Sequence, residues 1–300
     1  MSQERMDRAA PVGVIGLGLM GSALSARLID AGTGVIGFDV DAAKRNALRA
    51  SGAEFADFAA DVAVRCRTLV IAVYDAAQIE RLLPDIANAR TPLLVICTTT
   101  CAPDEIMGLA EFATRARLAF IEAPISGTSA EVRTGAATAL VAGDADVVAS
   151  AATTLDILCP QRVNVGTIGN ASRTKLAINL ILQSNRAALA EGLAFAESLG
   201  LEAAAFLATA RRSAAYSAVM DSKGEKMLAR DFSQQSRIAQ TLKDAELILR
   251  EGERHGLALP MTAAQAELLR RAIALQGPDS DSAAVIEAIR ARRTESEGSR

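Results

Sequence analysis

Lys175 sits in a segment whose polar residues return at helical spacing. In Ser172-Arg173-Thr174-Lys175-Leu176-Ala177-Ile178-Asn179-Leu180-Ile181-Leu182-Gln183, the residues Ser172, Lys175, Asn179 and Gln183 share one helical face. The rest of the central stretch is largely aliphatic. A helix apolar on most sides is buried, so its polar stripe should face a cleft. A lysine there is costly unless it is used or paired, and one buried beside a cofactor is suited to acid–base work. The competing reading is a surface helix whose Lys175 and Asn179 point to water. Periodicity alone leaves both open.

A second constellation suits a phosphate. Gly16-Leu17-Gly18-Leu19-Met20-Gly21 is a G-x-G-x-x-G that follows an apolar strand and opens a helix ending near Ala31-Gly32. A second strand, Val35-Ile36-Gly37-Phe38, then ends at Asp39. That order is what a dinucleotide fold requires. Gly16 permits the tight turn, Gly18 lets the backbone approach a pyrophosphate, and Gly21 lets helix and strand pack closely. The pyrophosphate would sit on unpaired N–H groups at the helix N-terminus. Asp39 would accept hydrogen bonds from a ribose hydroxyl and repel a 2′-phosphate, so the expected cofactor is NAD. Lys44 and Arg45 follow one turn later. The bland alternative is a glycine turn and a capping Asp with no ligand.

The elements that must position these residues follow from the pattern. Strands are expected at 11–16, 34–38, 68–73, 92–97, 118–121, 137–142 and 161–165, with helices near 20–31, 41–51, 76–88, 103–115 and 144–158. Such alternation means an α/β Rossmann domain with a mostly parallel sheet and helices on both faces. After Gly169 strand signals disappear, and an all-α C-terminal domain is expected, punctuated at Gly200, around Gly224, at 256–260 and at 277–278. The expected domains are 1–167 and 168–300, with a polar, frayed end.

Composition narrows the function classes. The chain has 300 residues, half of them hydrophobic, and a net charge of −3. That describes a folded globular protein with no basic surplus for nucleic acid. There is no Trp and there are two Tyr, so the cores must be aliphatic. The cysteines, Cys66, Cys97, Cys101 and Cys159, form no C-x-x-C pair, and His255 is the one histidine, so no metal site is expected. Buried free thiols fit a reducing compartment. The charged start, MSQERMDRAAP, lacks the apolar core of a signal peptide, and Arg27 and Asp30 interrupt the next apolar stretch too early for a membrane span. A cytoplasmic protein without membrane partners is the expectation.

With these residues in view, the chain resembles the β-hydroxyacid dehydrogenases over nearly its whole length. Gly16–Gly21 looks like the family's cofactor turn. Glu122-Ala123-Pro124-Ile125-Ser126-Gly127-Thr128 is similar to its substrate motif, D-A-P-V-S-G-G. Gly169 through Lys175 to Asn179 is similar to its catalytic helix, and Lys243-Asp244 to a K-D pair that closes over nicotinamide and substrate. The resemblance implies that Lys175 is the general acid–base and that Asn179 helps to hold the substrate. Ser126 and Gly127 would bind its carboxylate, with Thr128 beside them and Tyr216 as a further substrate contact. Val73, Thr100, Lys243 and Asp244 join the glycine turn and Asp39 in contacting NAD. Met220 and His255 are weaker pocket candidates, and His255 reads better as a capping or surface group.

Thr128 stands in place of the motif's second Gly, Glu122 in place of its Asp, Ile178 in place of the first Asn of an N-N pair, and Tyr74 in place of a Pro. The activity so implied is NAD-dependent oxidation of a small 3-hydroxy acid, or reduction of the semialdehyde, in a homodimer or homotetramer. The rivals on this scaffold are imine reductases, which generally lack the lysine, and NADPH-dependent glyoxylate or succinic semialdehyde reductases, against which Asp39 argues. A 6-phosphogluconate dehydrogenase would have a longer helical domain. From another class, a non-catalytic NAD(H)-binding sensor would not need Ser126, Lys175, Asn179 and Lys243 together.

Overall fold

The computed structural model describes residues 10–88 and 92–297. The charged start at residues 1–9, read above as no signal peptide, lies outside the described residues. The first compact unit ends at Lys175 and the second begins at Leu176.

The first unit alternates as the sequence pattern requires. Its elements are β1 (Val12–Ile15), α1 (Leu19–Asp30), β2 (Val35–Phe38), α2 (Ala42–Ala50), β3 (Glu54–Phe55), α3 (Ala59–Arg65), β4 (Thr68–Ile71), α4 (Ala76–Ala87) and β5 (Leu94–Cys97). They continue with α5 (Pro103–Arg115), β6 (Ala119–Glu122), β7 (Ile125–Ser126), α6 (Ser129–Thr134), β8 (Thr138–Ala142), α7 (Ala145–Ser150), α8 (Ala152–Leu158) and β9 (Gln161–Gly166).

The strands form one sheet in the order β3-β2-β1-β4-β5-β6-β8-β7, with β9 on β8. From β3 to β6 every pairing is parallel. β8 runs antiparallel to β6 and β7 and parallel to β9. Parallel neighbours need crossover helices, which is why helical segments separate these strands in the chain. The order reverses between β1 and β4, and open sheets of this kind bind ligands at the carboxyl ends of the strands beside such a switch.

Strand residues alternate between two cores. Val14, Val70, Ile96 and Ile121 pack on one face with Leu24 and Leu28 of α1. Ile15, Ile71, Val95 and Phe120 pack on the other with Val62, Ile79 and Ile106. Burial on both faces explains the uninterrupted apolar runs. Each fully buried side chain of this size contributes about 1.5–3 kcal/mol.

The single helix expected near 144–158 is two. They are divided at Ala151, a fully buried residue whose N–H reaches both Val147 and Val148 carbonyls. α7 buries no residue, whereas α8 buries Leu155 and Leu158 against the sheet. The bend lets the second turn of chain dock while the first stays at the surface.

The second unit is helical among its described residues. α9 (Asn170–Ser198) starts in the first unit and continues into the second; α10 (Ala203–Ala210), α11 (Ala218–Ala229), α12 (Ile238–Arg254), α13 (Pro260–Gln276) and α14 (Val285–Glu297) follow. Gly200, Gly256 and Gly277 sit in turns at positive φ. Gly224 does not break a helix as expected. It lies buried within α11, where a Cβ would stand 2.7 Å from Leu207 of α10, so its smallness serves helix packing. α14 carries regular helix through most of the polar end expected to fray, as its Ala, Arg and Glu content favours.

The core of this unit is aliphatic, with Leu189, Leu193, Leu207, Met227, Leu269 and Ile286. One ion pair is buried within it. Lys223 of α11 donates to both carboxylate oxygens of Asp281 at 2.8 and 2.9 Å. Asp281 also accepts the N–H groups of Gln235, Ser236 and Ala283. This ties the connection leading into α12 to the turn preceding α14.

Candidate active site

The glycine turn has the form that its spacing requires. Gly16 holds φ +89, and a Cβ there would approach the Ala72 carbonyl oxygen to 2.5 Å. A Cβ on Gly21 would lie 1.8 Å from the Gly16 carbonyl oxygen, so α1 packs on β1 only with glycine at that position. Gly18 differs, because a Cβ there would meet nothing within 4 Å. Gly18 is also the N-cap of α1 and supplies no side-chain cap. Leu19 and Met20 open the helix half-buried. The helix N-terminus therefore presents backbone donors at an open face, which suits a pyrophosphate.

Asp39 follows β2 and is buried, at 6% exposure. One of its oxygens accepts the Leu17 N–H at 2.7 Å, the other the Asp41 N–H at 2.9 Å, with the Lys44 ammonium 3.6 Å away. The carboxylate thus braces the glycine turn, a role that the spacing did not reveal. A carboxylate has lone pairs enough to accept ribose hydroxyls as well. Val73 follows β4, and its N–H and carbonyl both bond the Thr99 hydroxyl, at 3.2 and 3.1 Å. Thr99 is buried and Thr100 beside it half-buried. Gly16, Asp39, Val73 and Thr100 all lie just beyond the carboxyl ends of parallel strands. These residues fit a dinucleotide.

At the other end of the first unit, Ser126 ends β7 half-buried, and Gly127 is exposed at φ +145. A Cβ at Gly127 would lie 2.8 Å from that of Ala137, so both conformation and space demand glycine. Thr128 opens α6 through a capping box. Its hydroxyl accepts the Glu131 N–H, and its own N–H donates to the Glu131 carboxylate at 2.6 Å. Thr-x-x-Glu in the sequence was the available signal for this helix.

Lys175 is buried at 6% exposure, and Ser172, Asn179 and Gln183 at 2, 5 and 3%. The stripe does not face water, and the surface-helix alternative is excluded. It extends one turn further to Arg186, also buried, whose basicity burial lowers to about 10 against the opposing charges of Asp281 and Asp244. At the foot of the stripe stands Glu122, the last residue of β6 and 1% exposed. It accepts the N–H groups of Gly169, Ala171 and Ser172 and the Ser172 hydroxyl. Burial pushes the Glu122 carboxyl above its ordinary range, with these hydrogen bonds opposing the shift.

In the second unit, Asn179 donates to Asp244 at 3.0 Å, and Lys243 pairs with the other Asp244 oxygen at 3.3 Å. Gln183 bonds the Thr241 carbonyl and receives Gln265, so the upper part of the stripe is spent on helix packing. Tyr216 is 52% exposed in the connection between α10 and α11, with its hydroxyl donating to Asp221. Met220 belongs to the core, and His255 is the exposed C-cap of α12. All four cysteines are buried and free, and burial pushes the Cys66 and Cys159 thiols up to about 11. Among the described residues, no group of three or more His, Cys, Asp or Glu could hold a metal ion, and no helix is long and apolar enough to cross a membrane.

Comparison with known proteins accounts for both units. The family profile described as the NAD binding domain of 6-phosphogluconate dehydrogenase matches residues 11–167. A second, described as NAD-binding of NADP-dependent 3-hydroxyisobutyrate dehydrogenase, matches residues 169–289. The chain belongs to the β-hydroxyacid dehydrogenase family.

Among its relatives is glyoxylate/succinic semialdehyde reductase 1 of Arabidopsis thaliana, 27% identical over 94% of this chain and 99% of that one. Another is 2-(hydroxymethyl)glutarate dehydrogenase of Eubacterium barkeri, 25% identical over 94% and 95%. A crystal structure of 3-hydroxyisobutyrate dehydrogenase from Salmonella typhimurium superposes with a TM-score of 0.85 at 25% identity, covering 92% of this chain and 98% of that one. As a β-hydroxyacid dehydrogenase, the protein is an oxidoreductase that binds a nicotinamide dinucleotide.

Proposed function

We propose that the protein oxidises a small 3-hydroxy acid with NAD, or reduces the corresponding semialdehyde, using Lys175 as general acid–base. The carrying observation is the buried stripe. Lys175 is buried on the same helical face as Ser172 and Asn179, on a helix whose first turn is bonded to the strand leading into Ser126 and Gly127. A buried lysine is costly, and acid–base work is a reason to keep one.

The cofactor, when bound, supplies the hydride acceptor. Gly16 to Gly21, Asp39, Val73 and Thr100 would hold it, and Lys243 and Asp244 are further cofactor contacts in this reading. Ser126 and Gly127 hold the substrate carboxylate, and Asn179 orients the hydroxyl. Lys175 takes the hydroxyl proton as the carbonyl forms and returns it in the reverse direction. Thr128 and Tyr216 are substrate contacts in this reading. Residues 1–167 form the cofactor domain, and 168–300 a helical domain that also assembles a homodimer or homotetramer in the cytoplasm. Apolar side chains left exposed on α9, Ile181 and Phe195 among them, support such assembly.

Lys44 and Arg45 beside Asp39 favour a second reading in which NADP is the cofactor. A panel of small 3-hydroxy acids assayed with NAD and NADP in parallel, reading absorbance of the reduced cofactor, separates the two. Lys175→Ala should lose turnover by about a thousandfold, within the range for a general acid–base, and still bind NADH. Near-wild-type turnover would show that Lys175 is not the acid–base.

A further inference from the structure

Glu122 is bonded in a way that its place in the substrate motif does not explain. Its side chain is turned away from solvent and spent on the start of α9. One oxygen accepts the N–H groups of Gly169 and Ala171, and the other the N–H and hydroxyl of Ser172. These are first-turn donors of the kind that a helix cannot satisfy internally. The four hydrogen bonds and the helix dipole favour the ionised carboxylate, in opposition to the burial that raises its pKa.

Such caps ordinarily come from the residue just before the helix. Here Gly169 precedes α9 and has no side chain to offer, while Glu122 arrives from the sheet, 47 to 50 residues earlier. A buried carboxylate carries a desolvation cost that a local Ser or Asp at the surface would avoid. The strand-borne cap fixes something that a local cap leaves loose, namely the axial and rotational setting of α9 against β6.

Two groups of the proposed chemistry sit at the ends of that connection. Lys175 lies one turn above Ser172 on the same helical face. Ser126 lies four residues beyond Glu122, across Ala123-Pro124, in a segment held in place by pairing of Glu122 with Ala142 and of Ser126 with Thr138. Strand, carboxylate and first helical turn therefore form one continuous, buried path between the carboxylate-binding residues and the acid–base.

We propose that Glu122 is a positioning residue that sets the Lys175 amine relative to Ser126 and Gly127. This rests on the reading of Lys175 as the acid–base. Misplacement by about 1 Å at reacting atoms costs up to about a hundredfold in rate, so the effect belongs in turnover rather than in cofactor affinity.

The test compares wild type with Glu122→Gln, Glu122→Asp, Ser172→Ala and Lys175→Ala. Steady-state kcat and KM, NADH binding by nicotinamide fluorescence and thermal melting are measured for each. Glu122→Gln keeps the shape but turns an amide NH2 toward backbone N–H donors. It should lower kcat at least about tenfold while NADH affinity stays within about twofold. Glu122→Asp, which retains the charge, should recover part of that turnover. Ser172→Ala, which removes one of the bonds, should lower kcat severalfold.

Glu122→Gln with kcat within about twofold of wild type overturns the proposal, as does a kcat loss matched by an equal loss of NADH affinity. If Glu122→Gln does not fold, Ser172→Ala decides, and wild-type kcat there overturns it. Lys175→Ala separates the two ideas. Retained turnover in that variant refutes the acid–base reading, and the positioning proposal falls with it. Lost turnover in Lys175→Ala beside an unimpaired Glu122→Gln refutes positioning alone.

Discussion

Lys223→Met measures the buried ion pair of the helical unit. Both side chains are inaccessible, with Lys223 3% and Asp281 0% exposed. The substitution conserves much of the apolar stem and removes the ammonium, which leaves a buried carboxylate with three backbone donors, from Gln235, Ser236 and Ala283. Breaking a buried pair by removing one partner costs about 3–5 kcal/mol. The surviving N–H bonds and the positive charge of Arg186 place the expected loss at the lower end, about 3 kcal/mol.

Lys223→Met combined with Asp281→Asn no longer strands the Asp281 carboxylate, and Asp244 still opposes Arg186. It should therefore cost less than the sum of the single losses, by at least about 1 kcal/mol. Urea unfolding followed by far-ultraviolet circular dichroism reads this as a shift in midpoint at constant slope. A loss below about 1 kcal/mol in Lys223→Met, the value of an exposed pair, would refute the reasoning. Additive losses in the double variant would refute it too.

Thr128→Ala removes the hydroxyl that caps α6 and should lower stability by about 1 kcal/mol, read as a fall in melting temperature; an unchanged melting temperature would show that the capping box contributes nothing. Acidification should expose Asp281. Burial alone would raise its pKa, but the Lys223 ammonium and the N–H bonds outweigh burial and hold it below the ordinary range. Its stabilisation is then present above the unfolded carboxylate pKa, about 3.9, and is lost as pH falls through the lower folded value. Urea midpoints for wild type should drop below about pH 4 more steeply than those for Asp281→Asn, and parallel curves would contradict the assignment.

Much of the first unit was legible because its signals are local. The glycine turn, the apolar strands and Asp39 occur in order, and parallel strands buried on both faces announce themselves as unbroken apolar runs. The short strands β3 and β7 were not legible. Two residues carry no periodicity, and the pairing of Ile125 with Ala139 is decided by neighbours elsewhere in the chain. Helix α3 begins after Phe58, which offers no capping side chain, so no start signal preceded it. Gly224 misled because glycine most often punctuates, whereas here the close approach of Leu207 requires it.

The candidate site divides in the same way. Residue types and spacing singled out Lys175, Asn179 and the glycine turn. Which residues hold them did not follow from spacing, since Glu122 reaches α9 from β6, Asp39 reaches back to Leu17, and Asp244 reaches Asn179 from α12. Such bonds join residues distant in sequence. No window of a linear pattern contains both partners.

The brace between Asp39 and Leu17 bears on how cofactor preference could be altered by design. If NAD is the cofactor as proposed, replacing Asp39 to admit a 2′-phosphate would also release the Leu17 N–H, so the glycine turn would loosen along with any change in preference. Val40, next in the chain, is 88% exposed and so has little packing to lose. A redesign that leaves Asp39 in place and introduces its cation at Val40 would separate the proposed charge recognition from loop integrity, which the proposed reading places on one carboxylate.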